Sequence, residues 1–371
     1  MLLLTNVIPA DPLSPVILVQ GAQWALHSGI QEPNGGVARY HQTDRNCNAR
    51  VSTEITGYFI SSMLDIHQRL GGQPLLDAAL SAGRFLTESA WDAVLGAMPF
   101  EWPLDGQSDV HATYFFDNGI IVRALLRLWR ASGQTRFLDT AIACGESMRR
   151  DFVNPAGIDP ILELPSKRPT PRDQRWSRQS DCYQLKAALA WHDLAQATGD
   201  ESWLAPFEAA LERALATHET FPLGEPGTRV MDRLHAYGYF LEACLSRVDS
   251  PEVTAALRTG LDTAATLLRR VRLDFERADV PAQILRVRLW AEAAGVIALD
   301  RGAAEEEASW AASYQMNGGR PDTDGGFCFG RRSGKWCPFV NPVSTAFCLQ
   351  ALALWQDRCA NHPLASWQSV V

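Results

Sequence analysis

The chain has 371 residues, 46% hydrophobic and 20% charged, with a formal net charge of −8. That composition supplies ample core for a globular fold and lacks the basic excess that a nucleic-acid footprint requires, so no nucleic-acid partner is expected. The opening MLLLTNVIPADP has a short apolar run without a basic flank or a small-residue cleavage site. Neither a signal peptide nor a membrane span is therefore expected, and the location expected is cytoplasmic.

The predicted elements are helices from end to end. The first covers 15–29, opened by Ser14-Pro15 and stopped at Gly29. Helix 52–70 follows, closed by Gly71-Gly72, then helix 74–90 with Pro74 at its first position, where the missing N–H costs nothing. The pattern continues as 113–132 with 135–151, 179–198 with 201–218, 230–247 with 250–270, and 281–299 with 303–315, and the last helix is 342–357. Helix 113–132 carries Ile120, Ile121, Ala124, Leu125, Leu128 and Trp129 around most of its circumference. Helix 135–151 confines Phe137, Leu138, Ala141 and Ile142 to one side. A helix apolar all round is buried and one with a single stripe lies outside it, so each pair reads as inner then outer.

Inner helices begin at spacings of roughly 50–65 residues, longer than common solenoid repeats. Inner-to-outer turns are short (Ser132-Gly133-Gln134, Thr198-Gly199-Asp200, Asp249-Ser250), whereas outer-to-inner connections are long. These features predict an all-α fold, an (α/α)6 toroid of six helical hairpins. It would form one domain over 1–371, with helix 15–29 pairing with helix 342–357. An open solenoid is the alternative. Extended pieces after glycines, at 35–40, 96–100 and 325–329, predict short β-ribbons in the mouth loops.

Every inner helix starts at the long-loop end, where a rigid scaffold presents functional loops. First-turn residues should converge there: Glu54, Asp117, Asp181, Arg233 and His235, Arg286 and Arg288, and Ser344 with Thr345. Asp117 and Asp181 are the candidate catalytic pair, because two acids held in different protonation states can divide general acid and base work. The candidate substrate-binding set is Glu54, Tyr58, Trp102, His111, Tyr183, Arg233, His235, Tyr237, Arg286, Arg288 and Trp336, the aromatics offering faces for sugar rings. Each acid has a second reading as a helix-start stabiliser, with Glu54 in a Ser-Thr-Glu context the clearest case. His235, among aromatic neighbours, reads more readily as a satisfied core histidine than as a catalyst. Arg286 and Arg288, in an apolar helix, require a carboxylate partner or an anionic ligand.

The 8 cysteines form no CxxC or Cys/His spacing, so no metal and no cofactor are expected, and Cys328 and Cys337 are the one pair placed to meet across a loop. Neither a P-loop nor a nucleophile elbow is present.

The order FFDNGIIVRALLRLW, QSDCYQLKAALAW, DRLHAYGYFLEA resembles the six-hairpin glycosidases, particularly unsaturated glucuronyl hydrolases. Asp117-Asn118-Gly119 matches the Asp-x-Gly that opens the second inner helix there, and Asp181 through Trp191 is similar to the third. Asp232 through Gly238 keeps Arg, Ala and an aromatic of the fourth, but has Leu-His for Gly-Gln. The resemblance implies a glycoside hydrolase acting on a uronic-acid-containing or related oligo- or polysaccharide, with Asp117 and Asp181 as proton donor and acceptor and Arg233 holding substrate. The C-terminal stretch DGGFCFGRRSGKWCPFVNPVSTAF departs from that family. Alternatives on the same barrel are a sugar epimerase, whose acylglucosamine type works with histidines at the mouth, a lyase-type polysaccharide enzyme, and a non-catalytic glycan-binding toroid. A terpene-cyclase-like toroid is prompted by Asp322-Thr323-Asp324.

Overall fold

The computed structural model describes residues 11–102, 112–172, 175–223 and 230–371, so His111 lies outside the described residues. Among these are twelve α-helices. The first six are α1 (Val16–His27), α2 (Thr53–Leu70), α3 (Gln73–Arg84), α4 (Phe115–Ser132), α5 (Thr135–Ser147) and α6 (Leu185–Thr198). The rest are α7 (Leu204–Thr217), α8 (Val230–Cys244), α9 (Pro251–Val271), α10 (Asp279–Ala293), α11 (Arg301–Ala312) and α12 (Pro342–Cys359).

Local chemistry sets their ends. The Ser52 hydroxyl accepts from Ile55 N–H at the start of α2, and the Asn341 side chain accepts from Val343 and Ser344 N–H at the start of α12. Gly133 and Gly199, at φ 69° and 72°, stop α4 and α6 in the left-handed conformation that glycine takes without strain.

The even-numbered helices form the inner ring. α2 packs on α4, α4 on α6, α6 on α8, α8 on α10, α10 on α12, and α12 returns to α2. That last contact closes the ring and removes the open-solenoid alternative. Outside it, α3, α5, α7, α9 and α11 each cover the inner helix before them, and α1 lies against α12. The architecture is the (α/α)6 toroid. Close approach in the ring depends on small residues: a Cβ on Gly119 would stand 2.4 Å from Ala187 Cα, so a side chain there would force α4 and α6 apart. Among the described residues no helix is long and apolar enough to cross a membrane.

Short antiparallel ribbons occupy the long connections. Val51–Ser52 pairs with Glu101–Trp102, and Ala112–Tyr114 with Ile161–Glu163. His41–Gln42 lies between Cys47–Asn48 and Phe339–Val340, and Gly330–Arg332 lies between Phe275–Arg277 and Lys335–Trp336. The three predicted extended pieces take part through the bridges Ala38↔Val51, Asp92↔Ala97 and Cys328↔Val340.

Three helix starts differ from the expectation. Residues 112–114 are strand, so α4 begins at Phe115. A single 3-10 turn, Cys182–Gln184, precedes α6, which leaves Asp181 in extended conformation before any helical turn. α10 begins at Asp279, with Pro281 inside its first turn rather than at its start.

Farther along the inner helices, away from the ribbons, ion pairs fill the axis. Lys186 Nζ is 2.9 Å from Glu242 Oε2, and Arg286 pairs with the other oxygen of Glu242. Arg123 meets Asp193 at 2.8 Å and Arg127 meets Asp65 at 2.7 Å. The segment 366–371 crosses beneath them: Ser369 O accepts from Arg127 and Val371 O from Lys186.

Candidate active site

The ribbons and the first turns of the inner helices enclose a cavity of about 600 Å³. Its ionisable lining is Arg39, Glu54, Asp117, His235, Arg277 and Asp279, set among Phe100, Tyr114, Phe116, Trp176, Tyr183 and Tyr239. Glu54 is in the first turn of α2 and Asp117 in the first turn of α4, so neighbouring inner helices deliver two carboxylates side by side. The Asn118 amide steadies the start of α4 by donating to Thr113 Oγ1 at 2.9 Å and to Tyr114 O at 2.6 Å.

Asp117 is 5% exposed, and its Oδ2 has no partner among the described residues. Burial raises its pKa well above the usual carboxylate range; Glu54 adds to the rise and Arg39 opposes it. Burial likewise pushes Glu54 up, to about 7, against the pull of Arg39. Glu54 keeps some exposed area, since it borders the cavity, and water there moderates the effect. Two acids this close in a low dielectric resist simultaneous ionisation and tend to hold one proton between them.

The other charges are matched. Arg277 grips both oxygens of Asp279 at 3.0 and 2.7 Å and reaches Asp232 at 2.9 Å, with its guanidinium over Phe329. Arg39 meets Glu101 at 3.0 Å and lies over the Phe100 ring. His235 Nδ1 is 2.8 Å from Gln283 Oε1 and its Nε2 is 3.0 Å from the Tyr239 hydroxyl. Because Gln283 Oε1 only accepts, Nδ1 carries the proton and Nε2 accepts from Tyr239. Burial, reinforced by Arg277, draws the imidazole down to about 4, so it is neutral near pH 7.

Of the residues singled out in the sequence, Glu54, Asp117, Tyr183 and His235 line this cavity together. The other described candidates do not line it. Asp181 faces a separate small cleft with Ser180 and Arg213, because it precedes the helical turn that would have aimed it along the barrel. It still bears on the site, since Tyr183 is raised by burial first and then by Asp181, with Asp117 adding to the effect. Arg233 donates to Phe221 O at 2.7 Å and stacks over that ring. Tyr237 bonds His218 at 3.0 Å against the outer layer. Tyr58 is buried edge-on to Phe347, and Trp102 packs edge-on to Phe85. Arg286 and Arg288 have the carboxylates that their burial requires, Glu242 and Glu307. Trp336 lies under Arg331 on its ribbon. Cys328 and Cys337 are separate thiols, the Sγ of Cys328 donating to Cys337 O at 3.2 Å. Asp322 pairs with His41 and Arg320, outside the cavity lining.

Arg39, Tyr40, Phe100, Tyr239, Arg277 and Asp279 were not anticipated. Asp279 was within reach, since it is a first-turn acid of an inner helix like Glu54 and Asp117. Reading Pro281 as the first helical residue moved the boundary past it.

No protein-family model matches the chain, and no curated protein matches it. Solved structures do. A sugar epimerase from a ruminal bacterium aligns with TM-score 0.69 at 12% identity, over 91% of this chain and 98% of that one. Cellobiose 2-epimerase from Spirochaeta thermophila aligns with TM-score 0.68 at 14% identity, over 96% and 99%. An α-1,6-mannanase from Salegentibacter, in complex with a mannotetrose and inactivated by two Asp-to-Ala changes, aligns with TM-score 0.58 at 12% identity, over 94% and 99%. The chain thus has the fold of the six-hairpin glycosidase-like toroid enzymes.

Proposed function

We propose that this protein is a carbohydrate-active enzyme that cleaves a glycosidic bond in an oligo- or polysaccharide, with Asp117 as general acid and Glu54 as general base. The observation that carries the reading is the pair itself: two deep carboxylates on adjacent inner helices, one with an unpartnered oxygen, in a cavity lined by aromatic rings. Asp117, the deeper of the two and held above the usual carboxylate range by burial, keeps its proton and delivers it to the departing glycosidic oxygen. Glu54, near 7, takes the proton from the attacking water as the C–O bond breaks, close to the value that suits a base at neutral pH. Trp176, Tyr183 and Phe116 offer faces for the apolar sides of the sugar. Asp181 acts at most through Tyr183. The mannanase on this fold, inactive without two aspartates, supports carboxylate-driven cleavage as chemistry that the barrel accommodates.

Epimerisation is the second reading, prompted by the epimerases that share the fold. A histidine-based version lacks support among the described residues: only His235 lines the cavity, and both its nitrogens are engaged. A carboxylate-based version would use the same pair to exchange a C2 proton. Incubation with mannosidic, glucosidic and uronide-containing oligosaccharides in D2O separates the two. Cleavage gives new reducing ends, epimerisation gives deuterium at C2 without chain shortening, and neither product from any substrate contradicts the enzymatic reading.

A further inference from the structure

The cavity's charges carry information about the sugar it receives. A uronate presents a carboxylate that must find a cation once water is removed, and burying it beside other carboxylates is unfavourable. Among the described residues two cations line the cavity, and both are already engaged. Arg277 is engaged by both oxygens of Asp279 and by Asp232, and Arg39 is held by Glu101. Arg178, near Tyr114 at the outer mouth, donates to Pro171 O. His235 is neutral. On the negative side stand Glu54 and Asp117, with Asp117 Oδ2 buried and unpartnered.

We infer that this site selects an amino sugar bearing a free ammonium over the matching neutral sugar, and the neutral sugar over the matching uronate. The inference rests on the saccharide reading above and departs from the uronide specificity that the sequence resemblance implied. With one proton held between them, Glu54 and Asp117 carry one negative charge; an ammonium beside the pair neutralises that charge and gives the buried Asp117 Oδ2 a hydrogen-bond partner. A neutral hydroxyl supplies the partner alone. A carboxylate adds a second negative charge, and to meet a cation it would have to break Arg277 away from Asp279 or Arg39 away from Glu101. A charge-assisted hydrogen bond in such a setting favours the cation by on the order of tenfold.

The test is binding, measured by titration calorimetry and ligand-observed NMR on the full chain. Methyl glycosides of glucosamine, glucose and glucuronic acid form one series, with the galacto series run beside it so that charge is compared at fixed ring configuration. The expected order is amine, neutral, uronate in at least one series, with about a tenfold step from neutral to amine. In the Glu54→Gln, Asp117→Asn double variant that step should vanish while the neutral sugar still binds. Equal affinities for amine and neutral sugars, tighter binding of the uronate, or no binding of an amine in either series overturns the inference, and the wild-type ranking stands even if the double variant fails to fold. A separate failure is distinguishable: the ranking holding while no glycoside is cleaved removes the hydrolytic reading and leaves the charge selection, and cleavage confined to uronides does the reverse.

Discussion

Lys186, Glu242 and Arg286 meet deep in the barrel with negligible exposure, while Glu54 and Asp117 meet at its mouth. Both groups sit on inner helices in a low dielectric, yet they differ in whether opposite or like charges are brought together. In the deep cluster Glu242 is shared by two cations, Arg286 also reaching Gln350 and Val371 and Lys186 reaching Val371, although Arg286 Nε has no partner among the described residues. Even so, burial draws Lys186 down to about 7 against the help of Glu242, a reminder that paired buried charges are not thereby strongly stabilising. At the mouth, two acids face each other with Arg39 as their shared but already engaged cation, and one oxygen goes unpaired. The contrast separates charges matched by opposite partners from like charges set against each other in a cavity.

Removing the tension at the mouth should cost activity and not stability. Asp117→Asn is expected to lower turnover by about 10²–10⁴-fold, the usual worth of a general acid, with unfolding midpoint unchanged or raised. A variant that unfolds at lower temperature would put Asp117 with the deep cluster instead. The opposite holds for Glu242→Ala, which leaves Lys186 and Arg286 buried without their anion and should cost about 3–5 kcal/mol in chemical denaturation. A loss below about 1 kcal/mol there would break the contrast from the other side.

The pH dependence sharpens it further. Glu54 at about 7 in the folded chain, against 4.5 unfolded, means that the native state binds the extra proton between those values. Its stabilising share is complete below about 4.5 and is lost as pH rises through 7. Glu54→Gln should therefore match wild type in stability near pH 4 and exceed it near pH 8, by roughly 3 kcal/mol at most given the water in the cavity. Denaturation curves at the two pH values give the answer, and a variant less stable at pH 8 would contradict the assigned direction. The smallest expected effect is at the aromatic wall. Trp176→Ala should raise KM several-fold with kcat nearly kept, whereas Trp336→Ala, outside the cavity lining, should leave both alone in the same assay.

The barrel was largely legible in the sequence because its signals are local and repeated. Apolar residues around a whole helix mark an inner position, a glycine in the left-handed region marks a short turn, and six recurrences close a ring. The acids of α2 and α4 were legible for the same reason, since a first helical turn at the long-loop end has only one place to point. What escaped depends on geometry that local pattern does not encode. One 3-10 turn ahead of α6 was enough to aim Asp181 away, and a proline taken as a helix start concealed Asp279. Arg39, Tyr40 and Phe100 reach the cavity only because ribbons far apart in sequence pair at the mouth. The resemblance in the DNG motif proved structural in large part: Asn118 ties down the start of α4, and Gly119 lets α6 approach.

The central claim, an acid at Asp117 and a base at Glu54, is tested most directly by leaving-group dependence. Aryl glycosides with good and poor leaving groups should be hydrolysed by wild type, Asp117→Asn and Glu54→Gln in parallel. The acid variant should recover most of its rate on dinitrophenyl glycosides, which need no proton on departure, while the base variant stays slow on both and is rescued by added azide. Equal rates for all three proteins, or the recovery falling to Glu54→Gln instead, would contradict the account.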